Sequence, residues 1–277
     1  MVEWAPADLQ YAREEGYVDV REIMNEKQCF VLDMDGTFYL GSRILEGSLD
    51  FISELTRRGK QFIFFTNNSS KNSRAYVDKL ARMGCRVTES QVVTSGDVTA
   101  CYLQRHYPDS SVYLVGTAVL KADFRQRGIK LVDQNPDIVV VAFDTGLTYD
   151  DLSQACRFIR EGSLFLATHP DLNCPTEDGF IPDCGAVCAC ITASTQVTPK
   201  YLGKPNRETV DYLLEHLQCA PEELVLIGDR LYTEIAMGVM HGIDTVLVLS
   251  GETTLSDLKE SKVQPACTVG SLVDMIR

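Results

Sequence analysis

Paired cysteines, glycine fingerprints, long apolar runs and positive charge are all scarce in this chain of 277 residues. No two of its ten cysteines stand as CxxC, and the four histidines lie apart from the one cluster, Cys184, Cys188 and Cys190. The ligand spacing of a structural zinc site is therefore missing. Spread over this length and without a secretory leader, the ten cysteines do not make a small disulfide scaffold either. No strand-like run leads into GxGxxG, and neither Gly59-Lys60 nor Gly203-Lys204 is followed by Ser or Thr. A dinucleotide dehydrogenase and a P-loop nucleotide hydrolase thus find no support. The longest apolar run, residues 138–143, is far short of the ~20 residues that cross a bilayer. Lys and Arg number 26 against 39 Asp and Glu, for a net charge of −13. Such a chain repels phosphate backbones and anionic lipid unless it carries a local basic patch. The densest basic stretch, Arg57-Arg58-Gly59-Lys60, stops at three charges. Neither nucleic acid nor a membrane is expected as partner. Residues 1–19, acidic and without an apolar segment, point to a soluble cytoplasmic protein.

What the chain does contain is alternation. Apolar strand-like runs at 29–32, 62–65, 92–94, 112–115, 138–143, 164–167, 224–227 and 245–249 are separated by helical patterns such as 74–83 and 207–217. In the last of these, Val210, Leu213, Leu214 and Leu217 recur at the spacing of one helix face. Continuous apolar strands alternating with amphipathic helices predict an α/β fold whose parallel sheets are covered on both faces. Ser95-Gly96 after a strand, and the Thr-, Gly- and Pro-containing stretch 195–203, bound a segment with strands and helices of its own. The expected organisation is a discontinuous core, residues 1–96 and 197–277, with an inserted α/β domain at 97–196. Residues 1–28 read as an acidic arm with a short helix, and Cys184, Cys188 and Ile191 as a packed helical stripe.

Three of the strand runs end in chemistry. The first opens into Asp33-Met34-Asp35-Gly36-Thr37, the second into Thr66-Asn67-Asn68, and the run at 224–227 into Gly228-Asp229. Ligands of parallel α/β sheets sit beyond the carboxyl ends of strands, so the three clusters meet if their strands are neighbours. Asp33, Asp35 and Asp229 cannot all ionise at close range without a cation, and such oxygen-rich sites suit magnesium together with phosphate oxygens. Thr66, Asn67 and the backbone around Gly36 supply phosphate donors, and Lys204 in Gly203-Lys204-Pro205 supplies a fixed positive charge. Singly, each residue is as easily a turn, a cap or a surface lysine. Their joint occurrence, in order and each at a strand end or tight loop, favours a site.

Asp33-Met34-Asp35-Gly36-Thr37-Phe38-Tyr39, Thr66-Asn67-Asn68, Gly203-Lys204-Pro205-Asn206 and Gly228-Asp229-Arg230-Leu231-Tyr232-Thr233 resemble the four ordered motifs of the haloacid dehalogenase superfamily of phosphatases. The variants resemble its subfamily IIA, the NagD-like, 4-nitrophenylphosphatase-type branch. Residues 167–171 and 182–185 resemble that branch's cap. The resemblance implies a Rossmann-like core with a C2-type cap that closes over the site and selects the leaving group. It implies Asp33 as nucleophile, Asp35 as general acid and then base, and Gly36, Thr66, Asn67, Asn68 and Lys204 as phosphate ligands. Magnesium would be held by Asp33, Asp35 and Asp229. The fourth motif usually ends in a second aspartate, and here Glu234 takes that place as an outer support of the metal. Asp183 reads as the cap of a helix starting at Cys184, and His169 as a loop histidine with a structural hydrogen bond.

The implied activity is magnesium-dependent hydrolysis of small phosphomonoesters through an aspartyl-phosphate, with sugar phosphates, nucleotides, pyridoxal phosphate and phosphoglycolate all open as substrates. Two rivals share the site: a phosphotransferase or mutase that passes the phosphoryl group to a sugar hydroxyl, and a sensor that binds phosphometabolites without turnover. A homodimer fits as well as a monomer, because an apolar cap face and an apolar interface look alike in one sequence.

Overall fold

The computed structural model describes residues 18–176 and 179–277. They form two compact units: residues up to 65 with 80–91 and 213–277, and residues 66–79 with 92–212.

In the first unit the strand Cys29–Leu32 is buried at every position, as an apolar run with helices on both sides requires. It pairs in parallel with Leu224–Gly228 on one side and with Gln61–Thr66 on the other. Asp244–Val248 and then Cys267–Val269 extend the sheet beyond Leu224–Gly228, again in parallel. Leu32 lies opposite both Ile227 and Phe64, so three strands reach the same level before their polar ends begin. The helix Ser48–Arg57 buries Phe51 and Leu55, and the Phe51 ring meets Phe30 edge-on at 6.2 Å. The short helix expected within residues 1–28 is Val20–Glu26, capped by the Asp19 carboxylate. The rest of that expected arm, residues 1–17, lies outside the described residues.

The second unit carries its own parallel sheet, in the order Lys200–Tyr201, Leu164–Ala167, Ile138–Val141, Ser111–Val115, Lys130–Leu131. Alternate residues of the central strands feed two cores. Val139 and Val141 pack toward the helices Tyr149–Arg160 and Cys184–Thr195, whereas Ile138 and Val140 pack toward Ser95–His106 and Ala118–Gln126. Cys184, Cys188 and Ile191 form the buried stripe expected of them. Ser95-Gly96, read from sequence as the edge of a domain, instead opens the helix Ser95–His106. Thr94 and Asp97 cap it reciprocally, and Arg127 pairs with Asp97. The second unit contains all of residues 97–196 and extends past them on both sides.

Residues 169–183, which link a strand to a helix, contain an antiparallel ribbon of Asn173–Thr176 with Gly179–Pro182. Sequence periodicity could not reveal it: the ribbon is largely exposed and holds Asn, Pro and Gly, all poor strand formers. Among the described residues no helix is long and apolar enough to cross a membrane.

Gly185 in the helix Cys184–Thr195 is fixed by packing. A Cβ there would lie 2.0 Å from the Pro170 carbonyl oxygen. Helix propensity alone favours Ala over Gly by about 1 kcal/mol. We expect Gly185→Ala to destabilise instead, by about 1–3 kcal/mol, because backbone rather than a flexible side chain blocks the methyl group. Thermal denaturation checks this, and a raised Tm would contradict the close approach.

Candidate active site

The parallel ladder continues one residue past the first strand, where the Asp33 N–H donates to the Ile227 carbonyl at 2.8 Å. The chain then turns sharply: Gly36 N–H donates to the Tyr39 carbonyl at 2.8 Å, and Phe38 N–H to the Met34 carbonyl at 2.9 Å. Gly36 has φ +88°, a region costly for any residue with a Cβ. Asp33 and Asp35 are half-buried on this turn.

Asp229 follows the neighbouring strand Leu224–Gly228 and is buried. Its Oδ2 accepts from the Glu252 N–H at 2.8 Å and its Oδ1 from the Thr37 hydroxyl at 3.3 Å. Two glycines make room for the carboxylate: a Cβ on Gly36 would lie 2.3 Å from Oδ2, and one on Gly251 only 1.9 Å away. Burial, with repulsion from Glu234, pushes the Asp229 carboxyl up to about 6, against the pull of the Glu252 N–H. A buried carboxylate reluctant to ionise, on a strand end next to that of Asp33, is the environment a hard divalent cation relieves. The oxygen-only donor set fits magnesium.

Glu234 lies in a π-helical turn, Leu231–Ile235, and is buried. It accepts from the Thr233 hydroxyl at 2.6 Å. A Cβ on Gly228 would sit 2.4 Å from Glu234 Oε2, so the bare glycine accommodates the methylene that distinguishes this residue from aspartate. Arg230 has no role in the sequence reading, although it directly follows Asp229. Its Nε lies 3.0 Å from Glu252 Oε2. Burial opposes its charge, but Asp33 first, then Tyr232, Asp229 and Glu252, keep the guanidinium firmly protonated.

The second unit holds the phosphate-binding candidates. Thr66 ends its strand and accepts the Asn68 N–H on its hydroxyl at 3.1 Å. The buried Asn67 clasps Lys204 from both sides of one residue. Its Oδ1 accepts from the Lys204 N–H at 2.9 Å, and its Nδ2 donates to the Lys204 carbonyl at 3.1 Å. The same Nδ2 donates to Asp171 Oδ1 at 3.1 Å. Asn67 and Lys204, 137 residues apart, are thus brought together. The Asn68 Oδ1 accepts from the Ser70 N–H and hydroxyl, at 3.0 and 2.6 Å, and its Nδ2, the atom that can donate to a phosphate oxygen, lies 3.9 Å from the Cys174 sulfur. Gly203 must lack a side chain, since a Cβ would meet the Thr168 carbonyl at 2.5 Å and Asn67 Oδ1 at 2.7 Å.

His169 is fully buried. Its Nε2 lies 2.9 Å from Asp183 Oδ1, and its Nδ1 lies 2.9 Å from the Thr168 hydroxyl and 3.3 Å from that of Ser95. Burial opposes its protonation, yet the Cys184 sulfur and the Asp183 and Asp171 carboxylates outweigh it and push the imidazole up to about 9. Asp183 also caps its helix through the Cys184 N–H at 2.6 Å. Donor atoms of His169, Asp171 and Asp183 lie within 4.8 Å of one another, and protein hydrogen bonds occupy all three.

Residues 30–130 match the family described as haloacid dehalogenase-like hydrolase, and residues 201–275 match a second described as HAD-hyrolase-like. A 5'-nucleotidase, YutF, of Bacillus subtilis is 32% identical over 247 residues, covering 89% of this chain and 96% of its own length. An acid sugar phosphatase of Staphylococcus aureus is 33% identical over 254 residues, covering 91% and 98%. The chain belongs to the haloacid dehalogenase-like hydrolases. A 4-nitrophenylphosphatase structure from Thermotoga maritima superposes with TM-score 0.89 at 42% identity, covering 91% of this chain and 97% of that one. NagD of Escherichia coli gives TM-score 0.84 at 30% identity, covering 90% and 98%. Within the family the chain is a NagD-like phosphatase.

Because the His169 imidazole is raised from its usual 6.5 to about 9, its protonated form stabilises the fold. The contribution is fully present below about pH 6.5 and is lost as the pH rises through about 9. The difference is on the order of 3 kcal/mol. Tm should therefore fall between pH 7 and 9.5 more steeply in the native protein than in His169→Gln. Parallel curves would contradict the buried charge.

Proposed function

We propose that this NagD-like phosphatase hydrolyses small phosphomonoesters by a magnesium-dependent, two-step displacement, with 4-nitrophenyl phosphate as a surrogate substrate. The observation that carries the reading is the pairing of Cys29–Leu32 with Leu224–Gly228, which brings Asp33-Met34-Asp35 and Asp229 to adjacent strand ends, around glycines that leave the Asp229 carboxylate uncovered by any side chain of their own.

In the first step an Asp33 carboxylate oxygen attacks phosphorus and the ester P–O bond breaks. Asp35 gives its proton to the departing alkoxide. In the second step Asp35, now ionised, takes a proton from water, which attacks the aspartyl-phosphate and releases phosphate with Asp33 regenerated. Thr66, Asn67, Asn68, Lys204 and the Gly36 backbone hold the phosphoryl oxygens. Asp33, the Asp35 carbonyl and Asp229 would hold magnesium, with Glu234 behind them. When bound, the ion would supply charge neutralisation for the transferring phosphoryl group. The relatives named for sugar phosphates and 5'-nucleotides support a phosphorylated sugar or nucleoside as the natural substrate class. Residues 97–196 act in this reading as the cap that selects the leaving group. The ten cysteines form no disulfide, which supports a reducing, cytoplasmic setting.

Hydrolysis of 4-nitrophenyl phosphate tests the reading. The native protein should release 4-nitrophenol only with magnesium, and Asp33→Asn should lose about 10³-fold or more in kcat. Equal rates in both proteins would exclude Asp33 as nucleophile. Magnesium should also raise Tm more at pH 7.5 than at pH 5, because the Asp229 carboxyl, titrating at about 6, must ionise to bind it. An effect independent of pH would remove Asp229 from the metal site.

A further inference from the structure

His169 belongs to the inserted segment and touches no phosphate-binding atom directly, yet its hydrogen bonds account for the placement of two phosphate-binding motifs. The directions of these bonds follow from chemistry. A carbonyl oxygen can only accept, so the Ser95 hydroxyl spends its one hydrogen on the Asn67 carbonyl, at 2.5 Å. Ser95 Oγ can then meet His169 Nδ1 only as an acceptor, which makes Nδ1 a donor. At the other side of the ring Asp183 Oδ1 already accepts the Cys184 N–H as a carboxylate, so Nε2 is a donor as well. This pattern fits a ring that donates at both nitrogens, an imidazolium, in line with the raised pKa of the buried ring.

From this ring two chains of contacts run to the phosphate-binding residues. One passes through Ser95 to the Asn67 backbone, and the Asn67 side chain then fixes both the N–H and the carbonyl of Lys204. The other passes through Thr168. The Thr168 hydroxyl bonds His169 Nδ1 and the Ser69 hydroxyl, each at 2.9 Å, while its carbonyl accepts the Gly203 N–H at 2.7 Å. The loop after Thr66 and the loop before Lys204 are therefore each tied to the ring. The fit leaves no slack, since a Cβ at Gly203 would reach the His169 Cβ at 2.8 Å.

We propose that His169 is a positioning residue: held by Asp183, it sets the Asn67 loop through Ser95 and the Lys204 loop through Thr168, so that one residue of the inserted segment aligns both phosphate-binding motifs. The proposal rests on the reading of Asn67 and Lys204 as phosphate ligands, and its geometric half stands apart from that reading. A two-carboxylate histidine cluster could alternatively be a transition-metal site, and the test includes that outcome.

The variants are Ser95→Ala, which cuts one chain with little loss of packing, His169→Leu, which cuts both, and His169→Gln, whose amide restores a donor toward Asp183. Each is assayed as the full chain for kcat and KM on 4-nitrophenyl phosphate, for inhibition by orthophosphate, and for amide hydrogen exchange across residues 66–70 and 203–206. Metal content is measured on the native protein and on His169→Leu. We expect Ser95→Ala to raise KM and the orthophosphate inhibition constant together by about 5- to 10-fold, the scale of losing one positioning hydrogen bond. Exchange should accelerate in those two segments and stay native elsewhere. His169→Leu should lose more, and His169→Gln should recover part of it, which a loss of bulk alone would not predict. If the native protein is active while Ser95→Ala and His169→Leu keep native constants and native exchange, the positioning role is overturned and the phosphatase reading stands. If the native protein neither turns over nor binds orthophosphate, the phosphatase reading fails, and exchange alone decides: local acceleration in the two segments upholds the coupling and its absence overturns it. A stoichiometric transition metal that disappears in His169→Leu would also overturn the proposal, because a metal-bound ring cannot be the imidazolium described.

Discussion

Everything assigned to the first unit depends on one parallel strand pair. Cys29–Leu32 and Leu224–Gly228 are separated by about two-thirds of the chain, and each is apolar throughout because helices cover both faces of their sheet. Hydrogen bonds in register, from Cys29 opposite Leu224 to Leu32 opposite Ile227, fix where the apolar stretches stop. What stops them is Asp33 on one strand and Asp229 on the other. A slip of one residue would invert the side chains of a strand and take one carboxylate away from the other. The sheet core and the chemistry are thus set by the same register.

The carboxylates are then held under tension of a productive kind. Asp229 is buried where ionisation is unfavourable, and Glu234 adds further negative charge. Bare glycines at positions 36, 228 and 251 allow these groups to approach, each at a place where a methyl group would collide with a carboxylate. Arg230 supplies the fixed positive charge of the first unit, its guanidinium attracted to Asp33 and ion-paired with Glu252. The second unit solves the same problem differently: hydrogen bonds align its phosphate-binding candidates, Asn67 clasping the Lys204 backbone, and positive charge sits on Lys204 and on the buried His169 behind it.

Much of this could be read from the sequence, for a physical reason. Strands buried on both faces leave unbroken apolar runs, and ligands gather at their carboxyl ends, so the residues after 32, 65 and 227 stand out. The 207–217 helix announced itself by its apolar spacing, and the fully buried Cys184, Cys188 and Ile191 stripe by its period. What sequence could not show is pairing across distance. Asp171 bonds Asn67 from 104 residues away, and Ser95 meets His169 from 74 away. Gly251 is required only because Asp229 comes to it, and Glu252 matters through its backbone N–H, which every residue but proline has. The exposed ribbon after His169 lacks any apolar alternation to betray it. Ser95-Gly96 looks like a turn in sequence, but Thr94 and Asp97 make it the first turn of a helix.

In the proposed mechanism Asp33 carries the phosphoryl group between two steps, and an Asp35→Asn variant should trap it there. 4-Nitrophenolate leaves with little help from an acid, so the first step should proceed in this variant while the second, which needs a base for water, stalls. After brief exposure to 4-nitrophenyl phosphate and an acid quench, peptide mass spectrometry should find one phosphoryl group per chain, on Asp33. A phosphoryl group on any other residue, or steady turnover at the native rate with Asp33 unmodified, would contradict the account.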